Sequence, residues 1–229
     1  MGEKVKNMFA SIADDYDRVN TVLSFGIHYY WRNKTVALSG AKKGDSVIDC
    51  ATGTGDLAIE FKKKVGPDGY VLGTDFCAPM IEHAPDKAAD KNLDIDFEVA
   101  DAMDLPYKNN RFDIASIAFG IRNVDEPVRA LKEMARVVKP NGTVVILEFG
   151  QPTGLMKYPY RFYSNYVMPA VGGFIAGNRE AYTYLPETSA AFPAGNKFLT
   201  LMDKSNAFKA KEAHKLNAGI AYIYVGLVK

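Results

Sequence analysis

The chain has 229 residues, 48% of them hydrophobic, so it is long enough to bury one sizeable core. Its 28 lysines and arginines nearly balance 27 aspartates and glutamates, and this net charge of +1 gives no indication of a nucleic-acid partner. Cys50 and Cys77 are in neither disulfide nor zinc spacing, so we predict no bound metal. The start of the chain is charged, and no apolar run reaches the roughly 18 residues of a membrane span. We therefore expect a cytoplasmic protein with at most peripheral membrane contact.

Residues 3 to 38 are predicted to be helical, because apolar side chains recur there at the spacing of one helix face. The first such series is Val5, Met8, Phe9 and Ile12. We expect residues 1–40 to form a helical cover within a single domain that spans residues 1–229.

From Asp45 onward, short apolar runs alternate with amphipathic stretches, which is typical of βαβ units and a mostly parallel sheet. Strands are predicted at Ser46–Cys50, Tyr70–Thr74, Asp94–Val99, Phe112–Ala118 and Thr143–Phe149. Helices are predicted between them at Asp56–Val65, Pro79–Lys91 and Glu126–Val138. The last helix should end at Lys139-Pro140-Asn141-Gly142, because Pro140 cannot extend it and Asn-Gly readily takes positive φ.

The end of the chain begins with an aromatic-rich insertion, residues 150–195. After it we predict a helix at Lys197–Lys204 and two strands, Phe208–Leu216 and Ile220–Val228, close enough in sequence to form an antiparallel hairpin. Five parallel strands closed by such a hairpin are, by analogy, the α/β Rossmann-like sheet of a seven-stranded methyltransferase.

Two glycines, Gly53 and Gly55, follow the first predicted strand and precede a helix, where open α/β sheets bind their ligands. Without a Cβ atom they let a ligand approach the backbone. The spacing Gly53-x-Gly55-x-x-Ala58, with Asp75 22 residues after Gly53, also fits a dinucleotide fingerprint. A nicotinamide-dependent oxidoreductase is therefore an alternative at this point.

Acidic residues at the strand ends favour a different cofactor. Asp49 lies four residues before Gly53, where a carboxylate would attract the ammonium group of S-adenosylmethionine and repel a pyrophosphate. Asp101 and Ala102 follow the third predicted strand and offer an acceptor for the adenine amine beside an apolar surface. Each acid also has a local alternative role: a turn cap for Asp49, a helix N-cap for Asp75 and an Asx-turn for Asp101.

Several stretches resemble the ubiquinone and menaquinone biosynthesis C-methyltransferase family, and the resemblance covers nearly the whole chain. They are Met8–Asp17, Asn20, Leu23–His28 and Trp31-Arg32 near the start, Ala118–Val124 and Leu147–Phe149 in the middle, and Tyr182–Ser189 and Phe192-Pro193 near the end. A generic methyltransferase would share the glycine loop but not these stretches. The resemblance implies C-methylation of a prenylated quinol by S-adenosylmethionine. Demethylmenaquinol is preferred over the ubiquinone precursor 2-polyprenyl-6-methoxy-1,4-benzoquinol.

By that resemblance, Thr54, Asp75, Asp101 and Ala102 contact S-adenosylmethionine. One position departs from the family pattern, because Ala118 stands where some members have serine. Ala118 cannot offer a side-chain hydrogen bond, so we leave it out of the expected site. The segment 197–229 matches the family less distinctly.

Methylation of a ring carbon requires that the neighbouring quinol hydroxyl lose its proton. Arg122 and Asn123 follow the fourth predicted strand, at the cofactor edge of the sheet. Because a guanidinium stays protonated, Arg122 is predicted to stabilise the phenolate or to position a water that passes the proton to Asp101. Asn123 is predicted to hydrogen-bond a ring oxygen. The alternatives are an ion pair of Arg122 with Asp125 and a helix cap at Asn123.

Nine of the 42 residues from 151 to 192 are aromatic. A cluster around Arg161 suits a lid or channel for a flat hydrophobic quinol, with ordinary helix packing as the alternative. Its members are Tyr158, Tyr160, Phe162, Tyr163 and Tyr166. Exposed aromatics beside Lys157 and Arg161 would also contact the inner face of a membrane. A homodimer is a further expectation, and a catalytically inactive partner of quinone-pathway enzymes is the non-enzyme alternative.

Overall fold

The computed structural model describes residues 2–229 and contains one seven-stranded sheet. The strands are β1 (Ser46–Cys50), β2 (Tyr70–Asp75), β3 (Asp96–Val99), β4 (Phe112–Ala118), β5 (Val138–Phe149), β6 (Phe208–Leu216) and β7 (Ala221–Val228). Their order across the sheet is β3-β2-β1-β4-β5-β7-β6. Strands β1 to β5 are parallel, whereas β7 pairs antiparallel with both β5 and β6. The predicted parallel sheet with a terminal hairpin is confirmed.

Helices cover both faces of the sheet and its carboxyl edge. They are α1 (Glu3–Ala10), α2 (Tyr16–Ser24), α3 (Ile27–Leu38), α4 (Asp56–Val65), α5 (Ala78–Ile81), α6 (Ala84–Ala89), α7 (Pro127–Val137), α8 (Lys157–Phe162), α9 (Met168–Ala176), α10 (Arg179–Ala191) and α11 (Asn196–Ser205). The predicted helical cover is confirmed as α1 to α3. Within residues 2–229, no helix has the length and apolarity that crossing a bilayer requires.

Two predicted elements are wrong for local reasons, whereas the bounds of β2, β3, β7, α7 and α11 differ from the predicted ones by one or two residues. The helix expected at Pro79–Lys91 is two short helices, α5 and α6, because Pro85 lacks the N–H that would bond to the Ile81 carbonyl. The turn expected after α7 is an irregular start of β5, which begins at Val138 rather than Thr143. Asn141 takes the expected positive φ, 67°, inside that irregular stretch.

The central strands of the sheet are buried on both faces, so neighbouring residues of one strand enter different cores. In β1, Val47 packs with Phe61 of α4, whereas Ile48 packs in the cluster that holds Leu131 of α7 and Phe198 of α11. A third cluster, made of α2, α9 and α10 with Ile12, lies apart from these two. Ile12 lies in the turn after α1, and the other buried members of this cluster come from helices.

Helices α8 and α9 are one continuous helix interrupted by a π-helical segment, Tyr163–Val167. Pro169 follows this segment and lacks the N–H that an α-helix would direct at the Asn165 carbonyl. The wider π turn accommodates that missing bond. Tyr163, at the start of the π segment, lies beside a cavity described below.

Candidate functional site

A cavity of about 70 Å³, here called the small cavity, lies at the carboxyl ends of β1, β2 and β4. The predicted site residues on its wall are Gly53, Asp75, Asp101, Ala102 and Asn123. The same wall includes apolar side chains and Ala118, the position that departs from the family pattern. The parallel strands bring these residues together because their carboxyl ends share one edge of the sheet.

Asp75 connects the end of β2 to the glycine loop. Its two carboxylate oxygens accept hydrogen bonds from the backbone N–H of Gly53 and of Cys77, each at 2.8 Å. Burial raises the pKa of Asp75, and these backbone bonds oppose that rise. The predicted helix N-cap is wrong, because the residue before α5 is Cys77. Asp75 instead combines a bond to the N–H two residues ahead with a place on the cavity wall.

The two glycines of the loop have different functions. Gly53 has a φ of 57° and lies on the wall of the small cavity, where a Cβ atom would touch Met80 at 3.4 Å. Gly55 has a φ of 83°, and a Cβ atom there would approach Ala84 to 3.0 Å and Phe97 to 3.2 Å. The structure therefore requires Gly55 for packing of the loop against α6 and β3.

Asp49 lies beneath the glycine loop, with 1% of its surface exposed. The Ser116 and Thr52 hydroxyls each donate a hydrogen bond to its carboxylate at 2.7 Å. Burial raises the pKa of Asp49 to about 6, although both hydroxyl bonds act in the opposite direction. In the part of the chain that the structure describes, Asp49 does not line the small cavity.

Thr54 connects the loop to the helical cover. Its hydroxyl donates to Asp17 at 2.6 Å and accepts from Lys87 at 3.2 Å, and Lys87 also pairs with Asp17 and Asp56. Thr54 therefore faces a network of charges between the loop and α2, and in the described chain its side chain is not on the wall of the small cavity.

Asp101 has the predicted local role as well as the predicted place. Its carboxylate accepts a hydrogen bond from the Met103 N–H at 2.8 Å, which is the Asx-turn named as the alternative. Asp101 and Ala102 nevertheless both line the small cavity. The turn fixes the direction of the carboxylate at the end of β3.

A second cavity, of about 670 Å³, lies beside the first and is called here the large cavity. Its walls come from α1 to α3, from the ends of β4 and β5, and from α8 to α10. Most of its lining is apolar or aromatic, and it includes Trp31, the chain's single tryptophan. Phe9, Tyr16 and Phe119 line both cavities. The two cavities are therefore neighbours that share these three side chains.

Arg122 lies on the wall of the large cavity, and its side chain is 4% exposed. Its Nη1 donates to Glu148 at 2.8 Å and to the Phe119 carbonyl at 2.5 Å, and its guanidinium lies over the Phe149 ring. The ion-pair partner of Arg122, Glu148, was not among the site residues predicted from the sequence. The signal was a single carboxylate in the apolar run from Thr143 to Phe149.

Asn123 lies beside Arg122 but on the wall of the small cavity. Its Oδ1 accepts a hydrogen bond from the Tyr184 hydroxyl at 3.1 Å. The predicted helix cap is wrong, because Asn123 ends a 3₁₀ turn and the residue before α7 is Glu126.

The aromatic cluster predicted around Arg161 divides into two groups. Tyr160 and Tyr163 line the large cavity, whereas Tyr158, Phe162 and Tyr166 are 72%, 64% and 66% exposed. The helical cover supplies much of the remaining aromatic lining, including Phe9, Tyr16 and Trp31. Sequence analysis missed this contribution because the cover and the insertion are far apart along the chain.

Comparison with known proteins is consistent across sequence and structure. Residues 1–228 match the model of the ubiE/COQ5 methyltransferase family. A ubiquinone/menaquinone biosynthesis C-methyltransferase UbiE of Bdellovibrio bacteriovorus is 56% identical and aligns over 99% of this chain and 97% of its own. A demethylmenaquinone methyltransferase of Deinococcus radiodurans is 42% identical over 98% of this chain and 92% of its own.

Solved structures give the same fold. A SAM-dependent methyltransferase of Thermotoga maritima aligns with a TM-score of 0.69 and 20% identity, covering 97% of this chain and 99% of that one. One from Aquifex aeolicus aligns with a TM-score of 0.65 and 18% identity, covering 86% of this chain and 89% of that one. At these identities the likeness establishes the α/β methyltransferase fold.

Proposed function

The chain belongs to the ubiE/COQ5 methyltransferase family, and from that premise we propose that it methylates a ring carbon of demethylmenaquinol with S-adenosylmethionine as methyl donor. C-methylation in quinone biosynthesis follows from the family. The choice of demethylmenaquinol over the ubiquinone precursor goes beyond what the family establishes and is part of our proposal. One observation carries the proposal: an aromatic cavity large enough for a bicyclic ring shares three side chains with a smaller cavity that carries carboxylates at strand ends.

The residues that line the small cavity suit S-adenosylmethionine. Asp75 offers carboxylate oxygens at the end of β2, where enzymes of this topology hold ribose hydroxyls. Asp101 provides an acceptor for the adenine amine, and Ala102 with Met80 provides apolar surface for the ring. Gly53 leaves open the space that a Cβ atom would fill. When bound, this cofactor supplies an electrophilic methyl group on a sulfonium sulfur.

Asp49 and Thr54 act from behind the cavity wall in this proposal. The Asp49 carboxylate contributes negative charge beneath the loop, which favours the cationic end of the cofactor even without direct contact. Thr54 fixes the loop to the cover through Asp17. Gly55 lets the loop pack closely against α6. Asp49, Thr54 and Gly55 are thus proposed to support the loop and not to contact the cofactor.

The large cavity fits a naphthoquinol ring. Phe119 and Phe149 stack with ring centroids 4.3 Å apart, and Trp31 packs against both. These aromatic faces favour a flat ring with delocalised electrons, and the two fused rings of a naphthoquinol offer more surface to them than a benzoquinol does.

Arg122 is proposed to stabilise the phenolate that the quinol must become. Its guanidinium is held by Glu148, so one positive charge stays fixed at the cavity wall without reorganisation during the reaction. Asn123, next in the chain, lies on the side of the cofactor and is proposed to hydrogen-bond a ring oxygen. Asp101 stays our candidate for the final proton acceptor. A water molecule would carry the proton to it, because Asp101 lines the small cavity whereas Arg122 lines the large one.

The mouth of the large cavity is proposed to rest on a bilayer of anionic lipids, where a prenylated quinol resides. Phe25 and Met156 line the cavity and are also 87% and 46% exposed, so they mark its opening. Tyr158 and Phe162 are exposed near Met156 along the chain, together with the cations Lys157 and Arg161. Exposed aromatics with basic side chains are typical of peripheral membrane binding.

Co-sedimentation with vesicles tests that surface. We expect binding to vesicles that contain phosphatidylglycerol and a loss of about ten-fold in a Tyr158→Ser, Phe162→Ser double variant. Val99→Ser is the matched control, since Val99 is 58% exposed on the edge strand β3. Equal binding by all three proteins, or no binding by the wild type, would exclude this surface.

The substrate is tested by competition in one reaction. Equal concentrations of demethylmenaquinol and the demethylated ubiquinone precursor, with labelled S-adenosylmethionine, should give labelled menaquinol in large excess. Label in the benzoquinol product alone would overturn the choice of substrate, and equal labelling would show an enzyme that serves both.

A further inference from the structure

A third cavity, of about 370 Å³, lies beside the large cavity and is called here the polar cavity. Its walls come from the start of the insertion, from α8 with the π-helical segment that follows it, and from α10. Tyr160 lines both the polar cavity and the large one, so the two cavities are neighbours. The proposed methyl transfer gives the polar cavity no role.

Three charged side chains line the polar cavity. Lys157 and Arg161 lie one turn apart on α8, and Glu187 lies on α10. All three residues are exposed. Within residues 2–229 none of the three side chains forms an ion pair or a hydrogen bond. Two cations and one carboxylate therefore line the same cavity without pairing with one another.

This arrangement suits a ligand that carries charges of both signs. Two cations one turn apart suit a phosphate group, which the guanidinium of Arg161 can bind through two N–H groups at once. Gln151 and Asn165 line the same cavity, and their amide groups can donate to phosphate oxygens. Glu187 can accept hydrogen bonds from an ammonium group. The expected ligand is a phosphate ester that ends in a primary amine.

Helix α8 also carries the exposed aromatic residues that are proposed to meet a bilayer. Tyr158 and Phe162 each follow one of the cations Lys157 and Arg161 by one residue, which is a rotation of about 100° around the helix. The aromatic and the cationic side chains thus form adjacent stripes of α8. Aromatic side chains at the membrane interface would place the neighbouring cations at the level of the lipid phosphates.

We infer that the polar cavity binds the headgroup of a phosphatidylethanolamine-type lipid, with its phosphate at Lys157 and Arg161 and its ammonium group at Glu187. The inference rests on the proposed function, because it names the lipid that docks on the membrane surface proposed there. A phosphatidylcholine headgroup binds less tightly, since its quaternary ammonium has no N–H to donate to Glu187. A bound headgroup would hold α8, which is also part of the wall of the large cavity, against the bilayer.

Two soluble headgroups test the cavity without a membrane. Glycerophosphoethanolamine and glycerophosphocholine are each titrated into ¹⁵N-labelled protein. The side-chain N–H signals of Gln151 and Asn165 report binding, because both residues line the polar cavity. We expect glycerophosphoethanolamine to bind about three-fold more tightly, as one ion pair exposed to water predicts.

Vesicles test whether the cavity acts at a bilayer. They contain a fixed fraction of phosphatidylglycerol, and the remaining lipid is either phosphatidylethanolamine or phosphatidylcholine. Co-sedimentation of the wild type should show about a three-fold preference for the vesicles with phosphatidylethanolamine.

Glu187→Gln separates the headgroup site from general attraction to anionic lipid. It should lose the three-fold preference in both assays, yet it should bind the phosphatidylcholine vesicles at least as tightly as the wild type, because a negative charge has been removed. Glu82→Gln is the matched control, since it makes the same charge change at an exposed residue between α5 and α6 and should keep the preference.

A preference that persists in Glu187→Gln, or equal binding of both soluble headgroups by the wild type, would overturn the headgroup site. Binding of soluble glycerophosphoethanolamine without a preference among vesicles would overturn the assignment to a lipid. Preference for phosphatidylethanolamine without methyl transfer to any quinol would support the site and overturn the proposed function. Methyl transfer to demethylmenaquinol without a response to either headgroup would do the reverse.

Discussion

The two cavities differ in how the chain builds them. The small cavity is formed by residues that directly follow parallel strands, and its polar contacts, such as Asp75 with Gly53, join neighbouring strand ends. The large cavity is enclosed by helices from both ends of the chain, as the bond from Tyr163 to Leu23 across 140 residues shows. Local topology thus determines the first cavity, whereas long-range packing of helices determines the second.

The two cavities also differ in the chemistry of their walls. Carboxylates and backbone N–H groups define the small cavity, so single polar substitutions should affect it without disturbing the other. The large cavity has apolar and aromatic walls, and its wall residue Arg122 forms a deeply buried ion pair with Glu148. Changes to that pair should affect stability and the acceptor together.

The largest effect is expected for Glu148→Ala. Removing one member of a buried ion pair leaves Arg122 as an unpaired buried charge, which typically costs about 3–5 kcal/mol of unfolding free energy. Urea denaturation measures the loss. Glu126→Ala is the control, because its pair with Arg129 is exposed and should be worth at most about 1 kcal/mol. Equal losses in both variants would contradict the importance of the buried pair.

Asp49 should make stability depend on pH in a defined direction. Its pKa of about 6 lies above the ordinary value of 3.8, so the protonated form favours the folded state, and stability falls as pH rises through 6. Asp49→Asn removes this dependence. The variant should therefore gain about 3 kcal/mol relative to the wild type between pH 3 and pH 7. Urea denaturation at several pH values checks this, and a constant difference would contradict the shifted pKa.

Asp75→Ala should separate the two cavities. Loss of the bonds to Gly53 and Cys77 should weaken S-adenosylmethionine binding by about 100-fold, or ~3 kcal/mol, in calorimetry. Quinol binding, measured by Trp31 fluorescence, should change less than three-fold. Asp68→Ala, an exposed aspartate on a turn, serves as control. Equal loss of both ligands would mean that the cavities are not independent.

Most elements around the small cavity could be predicted from the sequence. The bounds of β1, β4 and α4 agree residue for residue, since short apolar runs and helical periodicity are strong local signals. Asp75 and Asp101 came to the predicted edge because parallel strands end there together. Asp49 and Thr54 lie in the loop region as expected, yet their side chains bond to neighbours, a detail that depends on three-dimensional packing.

The large cavity could be predicted only in part. Its aromatic content was visible in the insertion, but which aromatics face inward depends on how α8 to α10 pack on the cover. Glu148 could have been recognised as one carboxylate within an apolar strand, since an unpaired charge there would be costly.

The central claim is that S-adenosylmethionine bound at the small cavity transfers its methyl group to a ring carbon of a naphthoquinol bound in the large cavity. Its most direct test is a reaction of the protein with demethylmenaquinol and S-adenosylmethionine carrying a ¹³C-methyl group, followed by NMR of the extracted product. We predict a ¹³C signal of a methyl group bonded to the aromatic ring at the former ring C–H position. A methoxy signal, or an unlabelled quinol, would contradict the account.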